Sequence, residues 1–299
     1  MDLFRKAFRR FLAVIAKTTR GSQFELVRND FYSPLPDIKD LKQIEWGAQL
    51  PHGGVDLKLE QAAMLLSSEL SPLITEFEVS LEPPRLPVSN TDPFPLENGG
   101  YGSVDAELLY AMIRHHRPNE VLELGSGASS HVIERARIKN EEAGYPFRHQ
   151  IIDPFPFGNP IGPVKGASVT AKRAEDMSIE LIDRLQPNDI LFVDTTHTVK
   201  TGSDVLRVIL EFLPSVAPGV LIHFHDIFTP YDYPRSWIIE HRRCWAEQYM
   251  LQAFLAYNTS FEVVLPAFAL TKSQPEVVSD AVPSFSPGVE PGALWMRRV

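Results

Sequence analysis

The second two-thirds of the chain repeats one pattern, a short apolar run that closes on a polar or acidic residue and is followed by helical periodicity. Val121-Leu122-Glu123-Leu124 ends at Gly125, and Arg148 to Ile152 ends at Asp153. Ala167 to Ala171 is a third run, with Glu175 and Asp176 just beyond it. Asp189 to Asp194 and Val220 to Asp226 end in acids, and Phe261 to Leu270 and Ala293 to Met296 complete the series. Such runs predict buried strands of a parallel sheet. Helical spacing at Val132-Ile133-x-x-Ala136, at Ser203 to Phe212 and from Arg235 to Tyr257 predicts the crossovers. Strands alternating with helices define a doubly wound α/β domain.

Upstream the pattern changes. In residues 1–20, Phe4, Phe8, Phe11, Leu12 and Ile15 fall on one helical face, with Arg5, Lys6, Arg9 and Arg10 on or beside the other. This helix either lies on a membrane surface or packs on its own domain or a second subunit, a homo-oligomer. Charge interrupts it too often for a signal-peptide core. Residues 21–100 read as an extension over the catalytic face, too sparse in apolar residues for a core of their own. Phe31 to Asp37 is extended by its prolines, residues 57–70 are helical, and Leu81 to Asn98 is irregular. A glycine loop, Glu97 to Ser103, leads into a helix from Val104 to His115, and the main domain spans 101–299. Thr271 to Gly292 reads as a loop.

Composition narrows the class. A net charge of −9 argues against nucleic acid as a partner. One cysteine, Cys244, rules out an internal disulfide and a cysteine-based zinc site, which fits a reducing, cytoplasmic setting. No apolar stretch approaches the ~20 residues that span a bilayer.

Chemistry concentrates at the strand ends, where ligands of an open parallel sheet bind. Gly125-Ser126-Gly127 is a tight turn whose backbone N–H groups can approach a ligand, and Ser129 and Ser130 can cap the helix after it. The dinucleotide pattern G-x-G-x-x-G would need a third glycine at Ser130, whereas Glu123, two residues before the first glycine, suits a ligand that presents an amine. Asp153 is placed to accept hydrogen bonds from ribose hydroxyls. Asp194, His197, His225 and Asp226 gather at the ends of the fourth and fifth strands, and His223 and His225 share one face.

Glu123-x-Gly125-x-Gly127 resembles motif I of class I S-adenosylmethionine-dependent methyltransferases, with Ser129 where a third glycine is common. Leu191 to His197, Ser203-Asp204-Val205, His223 to Phe228 and Tyr231-Asp232-Tyr233-Pro234 look like a bacterial subfamily of these enzymes associated with glycan and secondary-metabolite biosynthesis. The similarity extends to Phe31-Tyr32-Ser33-Pro34 and to Leu294-Trp295-Met296. It implies a Rossmann-like, seven-stranded, mostly parallel sheet with an antiparallel last strand, helices on both faces and an N-terminal extension. It implies S-adenosyl-L-methionine as cofactor, contacted by Tyr101, Glu123, Gly125, Ser126, Gly127, Ser129, Asp153, Asp176 and Asp194. The acceptor would be a small molecule or a glycan, methylated on oxygen.

Catechol-type members bind a divalent metal through Asp, then Asp-Asn. Here Asp194 matches the first and His225-Asp226 stands where Asp-Asn would be. Asp194, His225 and Asp226 can therefore ligate Mg²⁺, Mn²⁺ or Fe²⁺, or His197 and His225 can act with Asp194 as the base that takes the acceptor's proton. Two rival readings use the same residues: a metal-dependent oxygenase or hydrolase, and a non-catalytic scaffold of the same fold.

Overall fold

The computed structural model describes every residue except 1, 21–25, 27–31, 34, 83–89, 91 and 157–163. Phe31 and Pro34, most of the proline-rich stretch after Leu81, and the side chains of Arg5, Lys6 and Arg9 thus lie outside the described residues. Packing divides the chain into two units: Met1–Trp46 with Arg235–Cys244, and Gly47–Pro234 with Trp245–Val299. This division differs from one at residues 20 and 100.

In the larger unit seven strands form one sheet. They are β1 (Glu120–Leu124), β2 (Arg148–Ile152), β3 (Ser168–Thr170), β4 (Ile190–Val193), β5 (Leu221–Phe224), β6 (Phe261–Pro266) and β7 (Leu294–Arg298). Their order is β3-β2-β1-β4-β5-β7-β6, all parallel except β7, which runs antiparallel to both neighbours. This is the Rossmann-like sheet the sequence suggested. Chain direction reverses its march across the sheet between β1 and β4, and that switch point is where the crevice for a ligand opens.

Alternation along the strands splits the core in two. Val121, Ile190, Phe192, Leu221 and Trp295 join one buried cluster with the helix Asp105–His116. Leu122, Leu124, Leu191, Val193, Ile222 and Phe224 join the other with Val205 and Phe212. A period of two places Glu123, His223 and His225 on the first face. Residues 62–77 belong to this face too, since Ala62, Leu66, Leu70, Ile74 and Phe77 are buried in the same cluster, whereas Leu57 is buried in the other. The helices here are Leu59–Met64 and Ser71–Thr75, joined by a π-helical stretch, Leu65–Leu70.

Two expectations change. The helix expected from Arg235 to Tyr257 is two, Arg235–Ile239 and Glu247–Leu255. Arg242 between them has a left-handed φ of 55°, and the N–H groups of Ala246 and Glu247 donate to the carbonyl of His197, starting the second helix anew. The strand expected to run to Leu270 stops at Pro266, and Ala267–Ser273 and Pro275–Ala281 are helices inside what reads as strand and loop. Pro275 occupies a first-turn position, where its missing N–H costs nothing.

The smaller unit holds the amphipathic N-terminal helix, Asp2–Thr18. It also holds Ile38–Leu41, whose first turn is capped by the Asp37 carboxylate accepting from Lys39 N–H at 2.8 Å, and Arg235–Ile239, followed by Arg243 stacked over Trp237.

Candidate active site

The glycine turn is shaped by its neighbours before any ligand arrives. Gly125 has φ 87°, and a Cβ there would sit 1.8 Å from the carbonyl oxygen of Asp194. Glycine is therefore required by left-handed backbone and by the close approach of β4. Gly127 differs: nothing lies within 4 Å of a Cβ placed on it, so it faces open space.

Two acids hold the turn. The fully buried Glu123 accepts from the hydroxyls of Ser129 and Ser130 at 2.8 and 2.9 Å and faces His149 Nε2 at 2.7 Å. Asp153 accepts from Ser126 N–H at 2.8 Å, from Ser126 Oγ–H at 2.5 Å and from Phe155 N–H at 2.6 Å. Of the residues singled out around the cradle, Gly125, Ser126, Gly127, Ser129 and Asp153 come together here. Glu123 lies beneath them, with no exposed surface, and reaches a ligand only through the groups it fixes. Asp176 stands on the exposed turn after β3, paired with Arg173 at 2.7 Å. Tyr101 is buried on the first face, its hydroxyl 3.0 Å from His223 Nε2 and its ring 4.6 Å from that of His225. The first contact lies within β5, and the second is to the residue just past its end.

Across the switch point stands a cluster of acids and imidazoles. His197 Nδ1 meets Glu247 at 2.8 Å, while its Nε2 faces Asp194 at 3.2 Å and Asp226 at 3.4 Å. His225 Nδ1 lies 3.5 Å from each of Asp194 and Asp226, and its Nε2 lies 3.3 Å from Asp105. Asp105 also accepts the N–H groups of Gly292 and Ala293, both at 2.9 Å, which pins β7's approach to the helix Asp105–His116. Asp194 is 31% exposed and is the cluster's main opening to solvent.

Two of these residues carry uncommon backbone: His197 has φ 54° and Asp226 has φ 58°. Such conformations persist only where surroundings enforce them, and they concentrate at functional sites. Asp204 enforces the first by accepting from Thr196 N–H at 2.8 Å and Thr196 Oγ1–H at 2.7 Å.

Electrostatics follow from crowding. Burial alone would push the His197 imidazole down, yet hydrogen bonds to Asp194 and Glu247 and their charges hold it up at about 10. Burial also opposes charge on His225, but Asp226 and Asp194 raise it well above the ordinary range. Asp194 is held below the usual carboxylate range, with His225 and His197 overcoming its burial. Burial pushes Asp226 and Glu247 up. His223, buried among aromatic rings and beside His225, is pushed well below the usual range.

Of the chosen catalytic and metal-binding residues, Asp194, His197, His225 and Asp226 all converge. Ligand atoms of Asp194, His197 and Asp226 lie within 4.8 Å of one another, close enough to share a cation. In that set His197 stands where His225 was expected, and His225 sits behind the two carboxylates. Sequence reasoning missed Glu247 and Asp105. Neither carries a spacing signal, since Glu247 lies fifty positions beyond its partner.

Fold and site together have the form of a Rossmann-like domain with a ligand crevice at its switch point. Residues 122–227 match the model of a family described as a methyltransferase domain. An uncharacterized protein of Archaeoglobus fulgidus is 31% identical over 106 residues, 33% of this chain and 46% of that protein. The chain thus spans about half the length of the curated relative it matches. A solved structure of a Thermobifida fusca protein, described as a candidate methyltransferase, is similar over 64% of this chain and 81% of its own, at 19% identity and a TM-score of 0.40.

Proposed function

We infer that the protein transfers a methyl group from S-adenosylmethionine to a hydroxyl oxygen of a small polar acceptor, a sugar or another polar metabolite. One observation carries this reading: the glycine turn and the acid–imidazole cluster are contiguous, since Gly125 abuts the backbone carbonyl of Asp194. A cofactor seated on the turn therefore ends beside the cluster.

The residues fit such a cofactor. Gly127 leaves open space, the backbone of Gly125 to Gly127 is partly exposed, and an acid closes β2. Gly125, Ser126, Gly127 and Asp153 would hold it, with Asp176 near the base end. When bound, S-adenosylmethionine supplies an electrophilic methyl on a sulfonium. The chain's own task is then to orient the acceptor and to receive its hydroxyl proton.

Neither imidazole is a ready base, because neighbouring carboxylates keep both protonated. Asp194, charged and partly exposed but held below the usual carboxylate range, is a weak proton acceptor and suits orienting the acceptor hydroxyl or ligating a cation. A divalent cation held by Asp194, His197 and Asp226 would lower the proton affinity of the acceptor hydroxyl. Such an ion would require His197 in its neutral form, with Glu247 holding Nδ1 and leaving Nε2 as the ligand atom, and His225 would steady both carboxylates.

Calorimetry with S-adenosylhomocysteine, with and without Mg²⁺ or Mn²⁺, tests the assignment. Binding of S-adenosylhomocysteine supports it, and binding of NAD without it would sink it. A rise in unfolding midpoint on adding the cation alone tests the metal reading independently of turnover.

A further inference from the structure

The N-terminal helix carries a surface that the proposed chemistry does not use. Among its described side chains, Phe4 is 78% exposed, Phe8 52%, Phe11 60% and Val14 63%, and Phe4 and Phe8 stack in parallel at 6.5 Å. At 3.6 residues per turn Phe4, Phe8, Phe11 and Ile15 share one face. Arg10 and Lys17 are exposed and fall on the opposite side of the turn. Residues 1–20 hold six Lys or Arg against one Asp, a local +5 in a chain of −9, so the remainder carries −14.

We propose that this helix is an in-plane anchor for an anionic lipid surface. Its 17 residues span about 25 Å. No described helix is long and apolar enough to cross a membrane. An aromatic face opposed by a basic one suits a helix lying at the boundary between headgroups and acyl chains, phenyl rings inward and guanidinium and ammonium groups among the lipid charges. A second copy of the helix is a poorer occupant, because it covers the aromatic face and leaves the opposite basic face unanswered. An anionic surface answers the same charges favourably, at about fivefold in partitioning per basic residue.

Flotation of the full chain with vesicles tests this. With phosphatidylcholine vesicles containing phosphatidylserine the protein floats, and with phosphatidylcholine alone it binds at least about tenfold less. Phe8→Asp with Phe11→Asp removes binding by spoiling the inserted face. Arg10→Glu with Lys17→Glu weakens it by roughly 25-fold or more and leaves the unfolding midpoint and molecular mass unchanged, which separates a lost surface from a lost fold. The proposal is overturned if the wild-type chain ignores both vesicles, or binds both equally and is indifferent to the charge reversal. It is also overturned if the Phe8→Asp, Phe11→Asp pair merely converts an oligomer to a monomer while vesicles go unbound, for then the face joins protein to protein.

Discussion

The two rims of the switch point handle buried charge in opposite ways. At the glycine turn, Glu123 and Asp153 are met by hydroxyl and backbone N–H donors and by His149, at 2.5 to 2.9 Å. Across the gap, Asp105, Asp194, Asp226 and Glu247 share two imidazoles, mostly at 3.2 to 3.5 Å. Asp105 is also met by two backbone N–H groups. Against two charged imidazoles the other three carboxylates, all ionised, would leave one negative charge in excess, in line with the upward push on Asp226 and Glu247. Buried charge without a close partner is costly. A satisfied acid fixes a shape, whereas a crowded set of acids retains capacity for a proton or a cation. The first rim is built to hold and the second to react.

The largest effect should come from the reactive rim. Asp194→Asn keeps the volume and removes the charge nearest solvent, and it should lower turnover by ~10²–10⁴-fold. S-adenosylhomocysteine affinity measured on the same preparation should change little. If turnover per folded molecule is unchanged, the second rim is structural and the contrast collapses.

A pair of glycine substitutions then sharpens the first rim. Gly125→Ala forces a methyl group into the Asp194 carbonyl at a left-handed φ, and should cost about 3 kcal/mol, seen as a fall of roughly 6–12 °C in unfolding midpoint. Gly127→Ala meets nothing in the protein, so the midpoint should hold while cofactor affinity falls by about tenfold, or ~1.4 kcal/mol. Equal destabilisation by both would mean that the open space at Gly127 is not a binding surface.

The sequence made the rims legible to different degrees. Strands with apolar interiors announce their ends, so Glu123, Asp153, Asp194, His197, His225 and Asp226 could be placed on one edge from spacing alone. Their partners could not. Glu247 reads as one more residue of a long helix, and only the break before it and the His197 carbonyl at its first turn reveal its role. Asp105 looks like an ordinary first-turn acid until β7 folds back onto it. The same limit explains Glu123. Its position marks the motif, while the direction of its carboxylate depends on Ser129, Ser130 and a histidine from the neighbouring strand. The helix Ala267–Ser273 escaped because its apolar first half continues the run of the strand before it, and Pro275–Ala281 because the prolines and serines around it read as loop.

The smallest effect is the most specific to the crowding. His197 is held at about 10, above the ordinary imidazole value of 6.5, so the folded state binds its proton more tightly than the unfolded chain. Its contribution to stability is therefore complete below pH ~6.5 and lost as pH rises through about 10. Glu247, at 2.8 Å, is a principal cause. Glu247→Gln keeps a polar side chain of the same size but removes the charge, so the alkaline loss of stability should shrink by about 1 kcal/mol relative to wild type. The measurement is the unfolding midpoint of both proteins between pH 6 and 10 with a chelator present, their difference cancelling the titration of unrelated lysines and tyrosines. Parallel curves would show that Glu247 does not hold the proton on His197, and that the reactive rim gains its charge from Asp194 and Asp226 alone.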